Sequence, residues 1–236
     1  MSKLIFTYHA LAFFHHVCML KIGKFDVPYH QSEDPRIVEM EEFGPRYLTI
    51  WNILVQTLFL FMAMCEDWVR LHPNKKRFEI IADQLAKVKG YLYTVIIFPT
   101  TLVVSLFFWI LFHIDRDFVL PETFEQIAPF WLNHGMHTNI LVVIVAELFI
   151  AKKGLPRPKF VIAALASSGF ALVYLVQFFV AYWQFGRWLY GIFYHLSCAQ
   201  MAGLFLCQHA AYLLFLRMGF LLQDKLHTSH PHLKAN

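Results

Sequence analysis

Charged residues are scarce in this sequence. Asp, Glu, Lys and Arg make up 15% of its 236 residues, whereas 58% are hydrophobic and 17% aromatic. A soluble domain carries roughly 25% charged residues, so the composition indicates a protein of the lipid bilayer. At about 20 residues per span, the length allows about five to seven spanning helices and no separate soluble domain. The net charge of +4 is spread over the loops and gives no indication of nucleic-acid binding.

The common catalytic and metal-binding motifs are also missing. The sequence contains no C-x-x-C pair, no G-x-S-x-G elbow and no H-E-x-x-H, which excludes the corresponding protein classes but not hydrolysis itself. The histidines are too scattered for the several boxes of a di-iron hydroxylase. His195 and His209 are 14 residues apart, about 20 Å along a helix, as two stacked haems require. No other apolar run offers two histidines at that spacing, so we expect neither a metal nor an organic cofactor.

Long apolar runs are what the sequence has in abundance. Six of them are long enough to cross a bilayer: residues 4–20, 47–65, 91–112, 130–151, 160–183 and 190–216. Lipid cannot hydrogen-bond the backbone, so each run is predicted to be helical. The predicted fold class is all-α, a polytopic membrane protein with a bundle of about six transmembrane helices. Residues 1–225 form one transmembrane domain in this prediction, and residues 226–236 form a polar cytoplasmic tail.

Two features modify this outline. Pro99 lies inside the third run and predicts a kink, because proline removes a helical hydrogen bond. The segment 71–90 is basic and is predicted to be a loop outside the membrane. Part of it is either a short helix at the membrane surface or a solvated run of charges.

The orientation follows from the distribution of Lys and Arg. With six spans, 14 of these residues lie on the side of the termini and 6 on the other side. Cytoplasmic loops carry the excess of positive charge, so both termini are predicted to be cytoplasmic. The protein is expected to be a multi-pass integral membrane protein of the plasma membrane, or of the endoplasmic reticulum and other endomembranes.

Polar side chains gather where the fourth run begins, in the block W-L-N-H-G-M-H-T at residues 131–138. Counting residues from the outer ends of the inward-running helices places five polar side chains at a similar depth: Thr49, Asn52, His134, His137 and His195. Such groups are costly in a membrane unless they face protein, water or a substrate. They are therefore either hydrogen-bonding contacts between helices or parts of a site.

These residue types suit ester hydrolysis. A Thr hydroxyl is a poor nucleophile by itself, but an imidazole within hydrogen-bond reach can accept its proton during attack. Thr49 and His137 supply such a pair. Candidates for orienting contacts or for stabilising the oxyanion are His134, Asn52, Asn133 and His195. The competing interpretation is that Thr49 caps its helix or bonds to a neighbouring one.

Several short stretches form a pattern that extends over most of the chain. The most specific is W-L-N-H-G-M-H-T, preceded by D-R-D-F-V-L-P at residues 115–121. Weaker stretches are V-P-Y-H-Q-S at 27–32, R-Y-L-T at 46–49, and G-R-W-L-Y at 186–190 followed by His195. Together they resemble the androgen-induced gene / androgen-dependent TFPI-regulating protein family. Two departures are a longer, more acidic stretch at residues 31–46 and Gly191 where that family tends to have Pro.

The resemblance implies a multi-pass membrane hydrolase of fatty acid esters of hydroxy fatty acids. That family is regarded as atypical threonine hydrolases with an essential Thr and His. By motif these correspond to Thr49 of Y-L-T-I and His137, the second His of H-G-M-H. The expected partners are a lipid ester and the membrane; the sequence identifies no protein partner. The rival expectations are a non-enzymatic regulator that binds lipid or protein, and a haem-binding redox protein.

Overall fold

The computed structural model describes residues 3–72, 76–150 and 157–227. These residues contain no strand and form α-helices joined by short 3₁₀ and π-helical segments. The α-helices are α1 Lys3–Lys21, α2 Pro35–Phe43, α3 Leu48–Leu71, α4 Lys76–Leu92, α5 Phe98–Ile114, α6 Phe130–His137, α7 Asn139–Ile150, α8 Phe160–Phe185 and α9 Cys198–His227.

Six helical stretches of the described chain are long and apolar enough to cross a membrane. They are formed by α1, α3, α4 with α5, α6 with α7, α8, and α9. The predicted all-α bundle with about six spans is therefore confirmed. Most of the predicted tail, residues 226–236, lies outside the described residues.

The third span differs most from its predicted bounds. Helix α4 begins at Lys76 and continues through a π-helical turn, Tyr93–Ile97, into α5. The basic stretch after position 75 is therefore not a separate surface helix but the start of the helix that continues into this span. From Phe78 to Ile114 the stretch has 37 residues. That corresponds to about 55 Å, against a hydrocarbon core of about 30 Å, so α4 extends beyond the core.

Pro99 explains the π-helical turn. A proline has no N–H, so the carbonyl of Val95, four residues earlier, loses its helical donor. The Ser167 hydroxyl on α8 donates to this carbonyl at 2.6 Å. The ladder loosens by one residue over Tyr93–Ile97, which is how helices absorb such a disruption. The expected distortion is thus a local π turn with a replacement hydrogen bond.

At the end of the bundle where α1 begins, three helices are joined by ionisable side chains. The two ring nitrogens of His9 on α1 lie 2.7 Å from Asp67 on α3 and 3.0 Å from Glu147 on α7. All three side chains are at most 3% exposed. Buried charged groups need partners of this kind, so the cluster ties α1, α3 and α7 together.

At the opposite end, α2 and the connecting loops cover the helices through ion pairs. Arg36 contacts Asp34 and Asp117, and the Thr123 hydroxyl donates to Asp34 at 2.6 Å. The Arg36 guanidinium beside Asp34 lowers the pKa of that carboxyl to about 2. Arg187, in the loop after α8, pairs with two glutamates of α2. These contacts fix α2 over the entrance to α3.

Candidate active site

Thr49 and His137 meet at the end of the bundle covered by α2. Thr49 is the second residue of α3, and His137 is the last residue of α6. The Thr49 hydroxyl donates to Nε2 of His137 across 3.2 Å. The imidazole is stacked on the Phe108 ring of α5, with 3.6 Å between ring centroids and 10° between the planes. The stacking fixes the plane of the ring and the direction of Nε2.

Asn133 holds the other side of the imidazole. Nδ1 of His137 lies 2.8 Å from Oδ1 of Asn133 and 3.1 Å from the Asn133 carbonyl oxygen. Both of these atoms are acceptors, so Nδ1 carries the proton and Nε2 presents a lone pair to Thr49. A hydroxyl, an imidazole and an orienting acceptor are the three parts of a nucleophile–base–orienter triad.

Thr49 lines a cavity of about 460 Å³. Its walls come from α3, α5, α8 and α9 and are mostly aliphatic and aromatic. Leu172 of α8 and Leu206 of α9 belong to the wall and are also 59% and 73% exposed. The cavity therefore opens sideways between α8 and α9, on a surface that faces lipid in a spanning bundle. Its volume is within the range of about 300–1,000 Å³ of small-molecule sites.

Two tyrosine hydroxyls lie at the start of α3 beside Thr49. The backbone N–H of Leu48 donates to the Tyr174 hydroxyl at 3.0 Å and to the Tyr190 hydroxyl at 3.4 Å. The two hydroxyl oxygens are 3.0 Å apart. One phenol proton serves the bond between them, which leaves the other without an acceptor in the described structure. Burial raises the pKa of Tyr190, so its hydroxyl remains a donor.

Asn52 and His134 lie near the pair but face other groups. Asn52 is one turn after Thr49, and its Oδ1 accepts from the Thr101 hydroxyl at 3.1 Å. Its Nδ2 is buried and has no partner in the described structure. Nδ1 of His134 lies 3.0 Å from the Thr138 hydroxyl, which also accepts from the Trp109 indole at 3.1 Å. His134 thus supports α6 against α5, and Asn52 retains a free amide donor.

His195 is not part of this arrangement. The sixth spanning helix begins at Cys198, not at Tyr190, so His195 precedes the helix and is exposed against Phe118. The preceding residues form a 3₁₀ turn, Gly191–Tyr194, packed against the loop that contains Asp117. A Cβ on Gly191 would lie 2.0 Å from the Asp117 carbonyl oxygen. The expected depth of His195 is therefore wrong, and so is its two-haem spacing with His209 along one helix.

Tyr174 and Tyr190 are residues of the site that the sequence analysis did not propose. Tyr190 appears there as the last residue of G-R-W-L-Y and the first of the sixth apolar run, and Tyr174 lies inside the fifth run. One signal for these two residues is in the sequence: each is a Tyr in a chain whose usual aromatic residue is Phe, with 25 Phe and 10 Tyr. A buried phenol needs a hydrogen-bond partner, so a Tyr within a span indicates a polar contact.

The sequence matches the family model described as FAR-17a/AIG1-like protein over residues 10–225. The chain belongs to this family. The androgen-dependent TFPI-regulating protein of Rattus norvegicus is 30% identical over 217 residues, which are 89% of this chain and 90% of the relative. The human protein of that name is 30% identical over 181 residues, 77% of this chain and 74% of the relative. The human androgen-induced gene 1 protein is 25% identical over 155 residues, 64% of each chain.

No solved structure matches this chain significantly. The family membership agrees with the resemblance noted from the W-L-N-H-G-M-H-T block, which supplies His137, Asn133 and His134 to the region described above.

Proposed function

We propose that this protein is an integral-membrane esterase that hydrolyses fatty acid esters of hydroxy fatty acids. Thr49 is the nucleophile and His137 the general base. The observation that supports it is the 3.2 Å contact between the Thr49 hydroxyl and Nε2 of His137, made by a Thr that also lines the lipid-accessible cavity. The reaction needs neither a metal nor an organic cofactor.

Acylation begins when the Thr49 oxygen attacks the ester carbonyl carbon and its proton passes to Nε2 of His137. The oxyanion that forms lies beside the first turn of α3, where the Tyr174–Tyr190 pair has one phenol proton left to donate. The tetrahedral intermediate then breaks its bond to the alcohol oxygen. That oxygen takes the proton from His137, and the acyl group remains on Thr49.

Deacylation repeats these steps with water. His137 accepts a proton from a water molecule as the water oxygen attacks the acyl carbon, and Thr49 recovers the proton when it leaves. The products are a free fatty acid and a hydroxy fatty acid. Both are lipids, and the opening between α8 and α9 gives them a route back to the bilayer. Asn133 keeps the imidazole in the required tautomer during both halves of the reaction.

A second candidate function is a membrane regulator without catalytic activity. Its support is the name of four relatives, androgen-dependent TFPI-regulating protein, which states regulation and no reaction. A regulator would use the same cavity to bind lipid, and the Thr49–His137 contact would then only join α3 to α6. The haem-binding alternative required His195 and His209 on one helix, and His195 precedes that helix.

The two candidates are separated by ester hydrolysis with purified protein. Thr49→Ala, Thr49→Val and His137→Ala should abolish turnover while the protein still folds. Thr49→Ser keeps a hydroxyl and should retain part of the activity. The Thr49→Ala/His137→Ala double variant should be hardly worse than either single one, because residues that act as a unit are strongly non-additive. A fluorophosphonate probe should label the protein at Thr49.

Thr57 offers the matched control on the same helix. Its hydroxyl donates to the Ile53 carbonyl within α3, and it does not line the cavity. Thr57→Val should leave hydrolysis unchanged. Persistent activity in Thr49→Val, with a stability loss of about 1 kcal/mol, is the result expected of a structural hydrogen bond and would refute the proposed nucleophile.

A further inference from the structure

The cavity has a second group of polar side chains, away from Thr49. They come from three helices: Thr100 on α5, Ser168 on α8, and Gln208, His209 and Tyr212 on α9. Six residues separate Tyr174 from Ser168 along α8, and eight separate Phe108 from Thr100 along α5. The second group therefore lies about 9–12 Å from the level of Thr49. The wall between the two levels is formed mainly by Val, Leu, Phe and Ala side chains.

This deep polar group lies near the middle of the membrane. Ser168 is eight residues after the start of α8, about 12 Å along an axis that crosses a core of about 30 Å. Polar groups at that depth are expensive and mark functional positions unless their hydrogen bonds are complete. Two contacts join members of the group, Ser168 with Nε2 of His209 at 3.4 Å and Thr100 with Tyr212 at 3.3 Å. The Tyr212 hydroxyl also contacts Ser167 on α8.

The hydrogen-bonding capacity of the group exceeds these contacts. The Gln208 amide and Nδ1 of His209 have no partner in the described part of the chain. Both residues line the cavity, so their free donors and acceptors are available to its contents. Among the described residues, no Lys, Arg, Asp or Glu lines the cavity. A charged ligand group would therefore be left without a counter-ion, while a neutral oxygen would find several partners.

We propose that the deep polar group is a subsite for a neutral oxygen substituent, a hydroxyl, keto or epoxide group, on the acyl chain of the ester. This rests on the proposed function, since Thr49 fixes the position of the carbonyl. The acyl chain is assigned to the cavity because it stays on Thr49 after the alcohol leaves. The oxygen recognised here is a second one, separate from the ester oxygen itself.

The spacing predicts where this oxygen lies. Bonds of about 1.5 Å advance an extended carbon chain by about 1.3 Å each, so 9–12 Å corresponds to about seven to nine bonds. An octadecanoyl chain with a hydroxyl at carbon 9 has this spacing. A hydroxyl at carbon 3 does not, because it would remain among the apolar residues next to Thr49.

The test compares p-nitrophenyl esters of octadecanoic, 9-hydroxyoctadecanoic and 3-hydroxyoctadecanoic acids with the full-length protein in lipid nanodiscs. One neutral hydrogen bond corresponds to roughly 2- to 12-fold in kcat/KM, so we expect a preference of that size for the 9-hydroxy ester. Tyr212→Phe and Ser168→Ala should each reduce this preference towards one, with hydrolysis of the plain ester retained. Cys207→Ala, exposed on α9 next to Gln208, is the matched control and should keep the preference.

A binding assay on an inactive variant tests the subsite independently of the reaction. On the Thr49→Val protein, methyl 9-hydroxyoctadecanoate should displace a bound fluorescent fatty acid methyl ester more effectively than methyl octadecanoate does. If esters are not hydrolysed but this preference exists, the proposed function fails and the subsite remains. If esters are hydrolysed but the 9-hydroxylated chain is preferred neither as a substrate nor as a bound ligand, the proposed subsite is wrong. A preference that survives both variants also overturns it, and the polar contacts then only join helices.

Discussion

Replacing Asn133 with Ala tests how the imidazole is held. The side-chain acceptor 2.8 Å from Nδ1 of His137 is lost, while the carbonyl of residue 133 at 3.1 Å remains. A neutral hydrogen bond contributes about 0.5–1.5 kcal/mol, and about 1.4 kcal/mol is a factor of ten in rate. The remaining carbonyl still assigns the proton to Nδ1. We therefore expect kcat to fall by roughly 2- to 12-fold, far less than the loss in His137→Ala.

Whether the loss of activity in Asn133→Ala appears in kcat or in KM tests the role of this side chain. Asn133 does not line the cavity, so substrate binding and KM should change little. The assay is steady-state hydrolysis of a p-nitrophenyl ester by purified protein, with the thermal midpoint measured in the same detergent. Asn139→Ala is the matched control, because that side chain lies just after Thr138 and contacts His15 instead. It should retain full activity.

Two outcomes would refute the reasoning on Asn133. Unchanged kcat would mean that the side chain does not orient the base. A loss as complete as in His137→Ala, with an unchanged thermal midpoint, would mean that Asn133 acts directly on the substrate. Its buried Nδ2, which has no partner in the described structure, would then be the atom responsible.

Three other predictions concern topology, the tail and stability. Because Lys and Arg are divided 14 to 6, both termini should face the cytosol; cleavage of the C-terminal tail by protease added outside intact cells would contradict this. Truncation after Lys225 should leave hydrolysis intact, since it removes only the end of α9 and the residues that follow it; loss of activity in a folded truncation would place the tail in the site. His9→Leu leaves two buried carboxylates without their partner and should lower the free energy of unfolding by about 3–5 kcal/mol. Chemical denaturation in detergent measures it, and a change below about 1 kcal/mol would show that the cluster is not a stabilising link.

The spans and the depth of Thr49 and His137 were predictable because both follow from local counting. Apolar length identifies a span, alternating direction fixes which end is outer, and about 1.5 Å per residue gives depth. The structure brings these two side chains together on α3 and α6. The i,i+4 spacing of Asn133 and His137 is equally local and is compatible with their contact.

The features that could not be predicted from the sequence depend on contacts between segments that are distant along the chain. His195 was placed too deep because Gly191 starts a 3₁₀ turn, and the turn exists through close packing on the carbonyl of Asp117. Tyr174 was missed for a different reason. In a membrane helix both the lipid side and the protein side are apolar, so periodicity does not show which face lines a cavity.

The positions of the proposed nucleophile and base also depend on contacts at the far end of the two spans that carry them. Helix α3 carries Thr49 at one end and Asp67 18 residues later, about 27 Å away. The fourth span carries His137 and, ten residues later, Glu147. His9 bridges the two carboxylates, so α3 and α7 are tied together at the end opposite the site. The cavity opens on the other side, between α8 and α9. Thr49 and His137, which must stay within 3.2 Å of each other, thus belong to the second and fourth spans, which the His9 cluster holds together. The proposed lipid substrate can enter between α8 and α9 without separating them.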